Sequence, residues 1–261
     1  MRCFYSFIII FFFSLSLYAI KNLVKEGDEF YNNRNISKNP VKSKEIISES
    51  IKYYKEALKN NPGNDILLYK LTKAINFKYN YLPLKFSKIE KIKTYKSLLS
   101  KLNKAYKNNK NSKYLNYSLA LIWGRYGELI GVLKAAKTGI AGKIKKYGER
   151  LYKLDKKFED GIAGVILGRL HYKTPSIPFI LSWPDMNKSE KYLRESAKLF
   201  PNNYWAKFYL ADTLYNNEKI EEAKKYYKEI LNISPDKNNY FEILAVKNSC
   251  KKRVKELNLF K

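Results

Sequence analysis

Two prolines, Pro201 and Pro235, stand 34 residues apart, and each follows a segment with the apolar spacing of an amphipathic helix. In the segment before Pro235, Ile220, Ala223 and Tyr227 recur every three or four residues, so they share one helix face. A period of this length holds two short helices and their turns. One such unit cannot bury its own apolar faces, so the spacing predicts a stack of helix pairs that cover one another.

The segment 204–237 follows the pattern of the tetratricopeptide repeat, in which small residues lie where paired helices cross and large residues fill the groove between pairs. The positions that fit the pattern are Leu210, Ala211, Leu214, Ala223, Tyr227 and Pro235. Lys207 and Ile230 depart from it, because the pattern has Trp and Ala at those positions.

An earlier unit ends at Pro201. Its matching residues are Leu167, Gly168, His171, Ser189 and Leu193. His171 and Ser189 are 18 residues apart where a regular repeat needs nine, so we expect an insertion within 174–187, either a lid over a groove or a surface loop. Tyr54, Ala57 and Pro62 indicate a further unit near the start.

These units predict an all-α solenoid of about five antiparallel helix pairs in one continuous domain, 20–261. The expected pairs are 22–35 with 43–60, 65–79 with 87–109, 113–136 with 139–156, 160–172 with 187–199, and 204–216 with 219–232. A closing helix at 237–257 caps the last pair, and its basic sequence KKRVKEL suits a solvent-facing end.

The N-terminus predicts export. A single Arg2 precedes an apolar run from Phe4 to Ile20, and Ala19 offers a cleavage position before the polar chain. We therefore expect a signal peptide over 1–19, with a short uncleaved membrane anchor as the alternative. Cys3 lies before the apolar run, so it is not placed like a lipoprotein cysteine. The expected location is periplasmic or extracytoplasmic.

The charge is strongly positive, with 51 Lys and Arg against 24 Asp and Glu. Of these cations 44 are Lys, and they are spread over every segment, which favours a solvated surface over a nucleic-acid site. Binding to anionic lipid or polysaccharide surfaces stays open as the alternative function. Two Cys and one His exclude a disulfide framework and histidine-rich metal sites. We predict no catalytic set, no metal and no cofactor, with His171 packed in the fold.

The first helix of each pair is expected to line a concave binding face. The candidate binding residues are Tyr69, Tyr114, Tyr117, Arg125, Arg169, Tyr172, Trp205, Phe208, Asp212 and Tyr215. Aromatic and Arg side chains dominate the energetics of protein interfaces. A guanidinium can also hold a carboxylate with two hydrogen bonds, so the two arginines stand out in a lysine-rich chain. The alternative is that these aromatic residues pack the repeats together.

The stretch from Leu154 to Asn217, about a quarter of the chain, resembles a bacterial family of exported tetratricopeptide-like proteins that includes the T components of TRAP transporters. The residues that carry the resemblance are Leu167, Gly168, Arg169, Pro178, Pro201, Leu210, Ala211 and Asp212. The resemblance implies a helical-repeat protein that binds a periplasmic substrate-binding subunit, and it implies binding without catalysis.

Overall fold

The structure, a computed structural model, describes residues 20–175 and 181–260. The first helix, α1, covers 20–32 of the described chain. The others are α2 Pro40–Asn60, α3 Asp65–Asn80, α4 Lys88–Asn108, α5 Lys113–Ile130, α6 Val132–Lys137, α7 Ile140–Leu154, α8 Phe158–Lys173, α9 Met186–Leu199, α10 Tyr204–Asn216, α11 Ile220–Asn232 and α12 Tyr240–Glu256. The described chain contains no strand. The expected export segment, 1–19, and Pro178 of the resemblance lie outside the described residues.

Short polar side chains begin many of these helices. Asn39, Asn64, Ser112, Asp185 and Asn203 each accept a hydrogen bond from a backbone N–H in the first turn that follows them. Such an N-cap stabilises a helix by about 1 kcal/mol, because the first N–H groups have no partner within the helix. Several of the chain's many asparagines therefore act as helix starts.

The helices stack in the order expected of a solenoid. Within the predicted pairs, α5 packs on α7, α8 on α9 and α10 on α11. Successive first helices also touch, α3 with α5, α5 with α8, and α8 with α10. The predicted all-α solenoid is confirmed, with one local difference. The helix expected over 113–136 ends at Ile130, because Gly131 has φ +95°, and the short α6 follows it.

The crossing of α8 with α9 shows why small residues recur in this pattern. A Cβ on Gly168 would lie 2.4 Å from Cγ of Leu193, which is fully buried. The hydroxyl of Ser189 donates to the carbonyl of Gly168 at 2.8 Å. Only a glycine lets the α9 side chains come this close to the α8 backbone.

The last helix closes the stack onto its beginning. Glu242 of α12 accepts from Nε of Arg34 at 2.9 Å and from Nδ2 of Asn35 at 2.9 Å. The side chain of Phe241 is 1% exposed and packs edge-on against Phe77 of α3. We call these contacts of α12 with the first repeat unit and with α3 the clasp. The first and last units therefore touch, and the curved stack has a closed perimeter.

The basic segment of α12 faces solvent in part, as expected of an end helix, since Lys251, Lys252 and Lys255 are exposed. The basic segment contains Arg253, whose Nε donates to Asp212 of α10 at 2.9 Å and whose Nη2 donates to the hydroxyl of Tyr172 at 3.3 Å. Helix α12 therefore takes the place of a sixth first helix, with one side on α10 and its first turn on the N-terminal unit.

Candidate functional site

A cavity of about 420 Å³ lies on the inner side of the stack. Its walls come from the first helices α3, α5, α8 and α10, with short contributions from α6 and α7. Four of the ten candidate residues line it: Tyr117, Arg125, Arg169 and Trp205. Apolar side chains cover most of the remaining wall, among them Leu121, Ile144, Ile162 and Val165. This volume is in the range of small-molecule sites and of pockets that take a few side chains of a partner.

Two arginines meet one glutamate on the cavity wall. Nη2 of Arg169 lies 2.5 Å from Oε1 of Glu128, and Nη1 of Arg125 lies 3.2 Å from Oε2 of the same carboxylate. Nε of Arg125 also donates to Oδ1 of Asn76 at 3.0 Å, which ties α5 to α3. From the sequence we expect the guanidinium groups of Arg125 and Arg169 to bind a carboxylate of a partner. The structure instead places an internal carboxylate between them.

Glu128 stays ionised in this setting. Burial alone would raise the pKa of its carboxyl group, but the positive charges of Arg125 and Arg169 outweigh burial, so the pKa lies below its usual value. With Lys173 also on the wall, the cavity carries three cations and one anion. An excess of positive charge therefore faces the cavity even after the internal pairing.

Aromatic rings form the wall next to the arginines. The guanidinium of Arg169 lies 4.4 Å from the ring centre of Tyr209 and donates to its hydroxyl group. Trp205 lies between Tyr209, at 5.5 Å between ring centres, and Tyr81, at 6.4 Å. Tyr81 follows α3 and Trp205 is on α10, so this contact joins distant repeats across the hollow.

Among the wall residues that sequence reasoning missed are Asn76, Tyr81, Glu128, Lys173 and Tyr209. Two signals were present in the chain. Glu128 is three residues after Arg125, the spacing of a helical ion pair. Tyr209 directly follows a position assigned to the inner face, so a small rotation of the helix brings it inward. The other three depend on how the helices curve around the hollow.

Tyr69 and Tyr114 do not line the cavity. They form a cluster with Tyr117 and Phe158 in which ring centres lie 5.2 to 5.8 Å apart. Next to this cluster Lys73 of α3 pairs with Glu159 at 3.0 Å. The rings mostly contact one another, which agrees with the packing alternative for Tyr69 and Tyr114.

Residues 159–161 lie at the edge of that cluster and have an unusual backbone conformation. Glu159, Asp160 and Gly161 have φ values of +46°, +54° and +75°, all in the left-handed region. The hydroxyl of Ser196 donates to the carbonyl of Gly161 at 3.0 Å, and Nδ2 of Asn203 donates to that of Asp160 at 2.8 Å. These bonds from α9 and the start of α10 hold the turn that begins α8.

The remaining candidates lie on α8 and α10, away from the cavity wall. Asp212 is 4% exposed and accepts from the hydroxyl of Tyr227 at 2.6 Å as well as from Arg253. Phe208 is buried against neighbouring rings, and Tyr172 contacts Arg253. Tyr215 is half-buried against the C-terminal core. None of these four lines the cavity, and Arg253 of α12 contacts two of them, Asp212 and Tyr172.

The insertion between α8 and α9 begins on the cavity wall, at Thr174 and Pro175. Its end is held by Trp183, whose ring meets that of His171 edge-on at 5.4 Å. His171 is 4% exposed, and its Nδ1 accepts the backbone N–H of Asp185 at 3.1 Å, so it is a packed residue, as expected. Residues 176–180 lie outside the described chain, and the choice between lid and surface loop stays open.

The described helices make no membrane-crossing segment, since none is both long and apolar enough to span a bilayer. Within the same residues, no group of three His, Cys, Asp or Glu side chains could hold a metal ion.

The fold and the inner cavity define a helical-repeat solenoid with an inner hollow. Residues 185–246 match the tetratricopeptide repeat family, which agrees with the unit identified at 204–237. Among solved structures, the chain is similar to yeast Tom70 at 14% identity, over 82% of this chain and 60% of that one, with a TM-score of 0.31. No curated protein matches it. Tetratricopeptide solenoids present concave surfaces to protein partners, and a protein-interaction scaffold is the general function that the repeats indicate.

Proposed function

We propose that this chain is an exported, non-enzymatic scaffold that binds a segment of a protein partner in the inner cavity. The observation that carries the proposal is the convergence of four first helices on one mostly apolar cavity with an excess of positive charge. Such a cavity suits apolar side chains of a partner that carries acidic groups nearby. The partner residues would meet Arg125, Arg169, Trp205 and Tyr209.

The closed perimeter restricts how a partner can enter. Since the clasp joins α12 to the first unit, a long helix cannot lie across an open groove as it could in an extended solenoid. A loop or a chain end that enters from one face fits the geometry. Enclosure of a few side chains then supplies most of the binding free energy, as at the centres of protein interfaces.

Gly124 offers a test that does not disturb the wall. It lines the cavity from α5, and a Cβ at this position would meet no atom within 4 Å. Gly124→Leu should fill part of the cavity and also raise helix propensity by about 1 kcal/mol. The variant should therefore fold at least as stably as the parent while losing the partner.

The matched control is Gly142→Leu on α7, where a Cβ also meets no atom within 4 Å but the residue is exposed and does not line the cavity. Both variants and the parent serve as baits for proteins of the source cell. A protein captured by the parent and by Gly142→Leu, but not by Gly124→Leu, is a cavity partner. Equal capture by all three baits would refute binding in the cavity.

The finer proposal is that the partner is a periplasmic substrate-binding subunit and that the chain is an accessory component of a TRAP transporter. It rests on the resemblance over 154–217 and on the expected signal peptide. A gene for a solute-binding protein beside this one would identify the protein to test. Titration of that purified subunit should give saturable binding that Gly124→Leu abolishes. Secretion is tested separately, by sequencing the N-terminus of the extracytoplasmic protein, where residue 20 is the expected start.

A further inference from the structure

Two helices depart from the even distribution of charge that the sequence suggested. Helix α4 contains seven Lys and one Glu, and α7 contains five Lys and Arg and one Glu. Helix α11, by comparison, has three of each sign. The excess charge is therefore gathered on particular outer helices.

The lysines of α4 lie on its solvent side. Lys93, Lys96, Lys104 and Lys107 are all exposed and are separated by about whole turns, whereas the residues that α4 buries include Leu98 and Leu102 on the opposite side. The four span about 21 Å along the helix at 1.5 Å per residue. Neighbouring charges along this line are separated by about a Debye length or less at 0.1 M salt, so they act together on a charged surface.

Helix α7 extends this surface. The rings of Tyr106 on α4 and Tyr147 on α7 meet edge-on at 5.1 Å, and Nζ of Lys146 lies 5.9 Å from the Tyr106 ring centre. Nη2 of Arg150 donates to the side chain of Asn111, just after α4, at 2.6 Å. We define the basic face as Lys93, Lys96, Lys104 and Lys107 of α4 with Lys146 and Arg150 of α7.

None of the six cations of the basic face pairs with an acidic side chain of the described chain. Other outer helices place some of their lysines beside acidic side chains, as in the pairs Lys52 with Glu49 on α2 and Lys224 with Glu221 on α11. Aligned cations without acidic partners repel one another. A surface that supplies many negative charges at once relieves this repulsion most.

A large apolar side chain lies on the same side of α4. Ile89 is 80% exposed, and it precedes Lys93 and Lys96 by four and seven residues, which places all three on one helix face. Exposed apolar and basic side chains on one face are typical of helices that lie in the headgroup region of a membrane. A nucleic-acid backbone has no apolar region in which an exposed isoleucine could be buried. Nucleic-acid sites also favour Arg, whereas five of the six cations here are Lys.

We propose that the basic face and Ile89 dock this protein on an anionic phospholipid surface. The site is separate from the cavity and does not depend on a partner there. A juxtamembrane lysine contributes roughly a fivefold factor to partitioning, and a cluster of this size is a common membrane-surface signal. The protein would then present its cavity close to the bilayer.

The test measures partitioning of the full chain onto vesicles of phosphatidylglycerol mixed with phosphatidylcholine, and onto vesicles of phosphatidylcholine alone. The apolar run at the N-terminus is present in every variant, so the readout is the ratio between the two vesicle types. Lys93→Gln, Lys104→Gln and Lys107→Gln together should lower this ratio by about a hundredfold. Rising salt should weaken binding of the parent to the anionic vesicles.

The charge-matched control replaces Lys188, Lys191 and Lys198 of α9 with Gln, since these lysines are also exposed. It should change the ratio by less than about threefold. Ile89→Ser, with its charge unchanged, should weaken binding to the anionic vesicles by roughly tenfold.

Three results would overturn the proposal. The first is an absence of preference for phosphatidylglycerol, and the second is an equal loss in the α4 and α9 variants, which would reflect net charge alone. The third is binding of a DNA duplex that the α4 substitutions abolish while Ile89→Ser leaves both DNA and vesicle binding intact. Gly124→Leu should leave vesicle binding unchanged, so failure of cavity binding and failure of membrane docking are distinguishable.

Discussion

Glu242 is the charge that closes the solenoid, and Glu242→Ala should open it. The carboxylate accepts from Arg34 at 2.9 Å and from Asn35 at 2.9 Å, with the side chains of Arg34 and Glu242 only 15% and 20% exposed. Hydrogen bonds to charged groups contribute about 1.5–3 kcal/mol each. Arg34 and Asn35 keep other partners, the carbonyls of Tyr31 and Asn238, so the net loss should be about 2–3 kcal/mol.

The lost free energy had stabilised the closed form of the clasp, so its removal favours the open form. A change of about 2–3 kcal/mol raises the population of the open form by roughly 30- to 150-fold. The backbone N–H of Phe241 donates to Oδ1 of Asn35 at 3.2 Å, so its hydrogen exchange reports opening directly. We expect exchange at Phe241 and its neighbours on α12 to accelerate by this factor, while the α8–α9 pair keeps its protection.

The control is Glu256→Ala at the other end of α12. Its carboxylate pairs with Arg253 at 3.6 Å and is half exposed, so its removal should cost at most about 0.5 kcal/mol. Unchanged exchange at Phe241 in Glu242→Ala, or the same acceleration in Glu256→Ala, would refute the role of the clasp.

Gly168→Ala should lower the free energy of unfolding by about 1–2 kcal/mol, because crowding of the buried Leu193 outweighs the gain in helix propensity. Gly142→Ala, with open space at its Cβ, should instead be neutral or stabilising, and urea unfolding followed by circular dichroism compares the two. Burial lowers the pKa of His171, so as the pH falls through about 6.5 this histidine takes up a proton in the unfolded chain but not in the folded chain. Stability should therefore fall as pH drops from 7 towards about 5.5, and since His171 is the only histidine, His171→Asn should remove this slope in pH-dependent unfolding.

The helices and their pairing could be predicted because their causes are local. The apolar spacing of Ile220, Ala223 and Tyr227 marks a face, and the prolines and asparagines mark the ends. The small residues Gly168 and Ser189 also predicted that two helices cross closely there, and Gly168 lies at the contact between α8 and α9. The end of α5 was harder to place, because a positive φ at Gly131 cannot be told from sequence spacing alone.

The candidate site was predicted in part. Counting positions along first helices found Arg125, Arg169 and Trp205, which do line the cavity. The same count placed Asp212 on an open surface, whereas α12 covers it. An inner position stays accessible only where no later element packs on it, and that depends on the whole stack.

The sequence by itself determined the repeat, since periodicity and small residues at crossings act between near neighbours in the chain. Only the tertiary structure decided that the last helix returns to the first unit and that Glu128 neutralises part of the arginine charge. It also decided that Lys93, Lys96, Lys104 and Lys107 of α4 lie aligned without an acidic partner in the described chain. Each of these depends on residues far apart in sequence or on a surface formed by more than one helix. The accumulated curvature of successive pairs sets such distances, and no single repeat encodes that curvature.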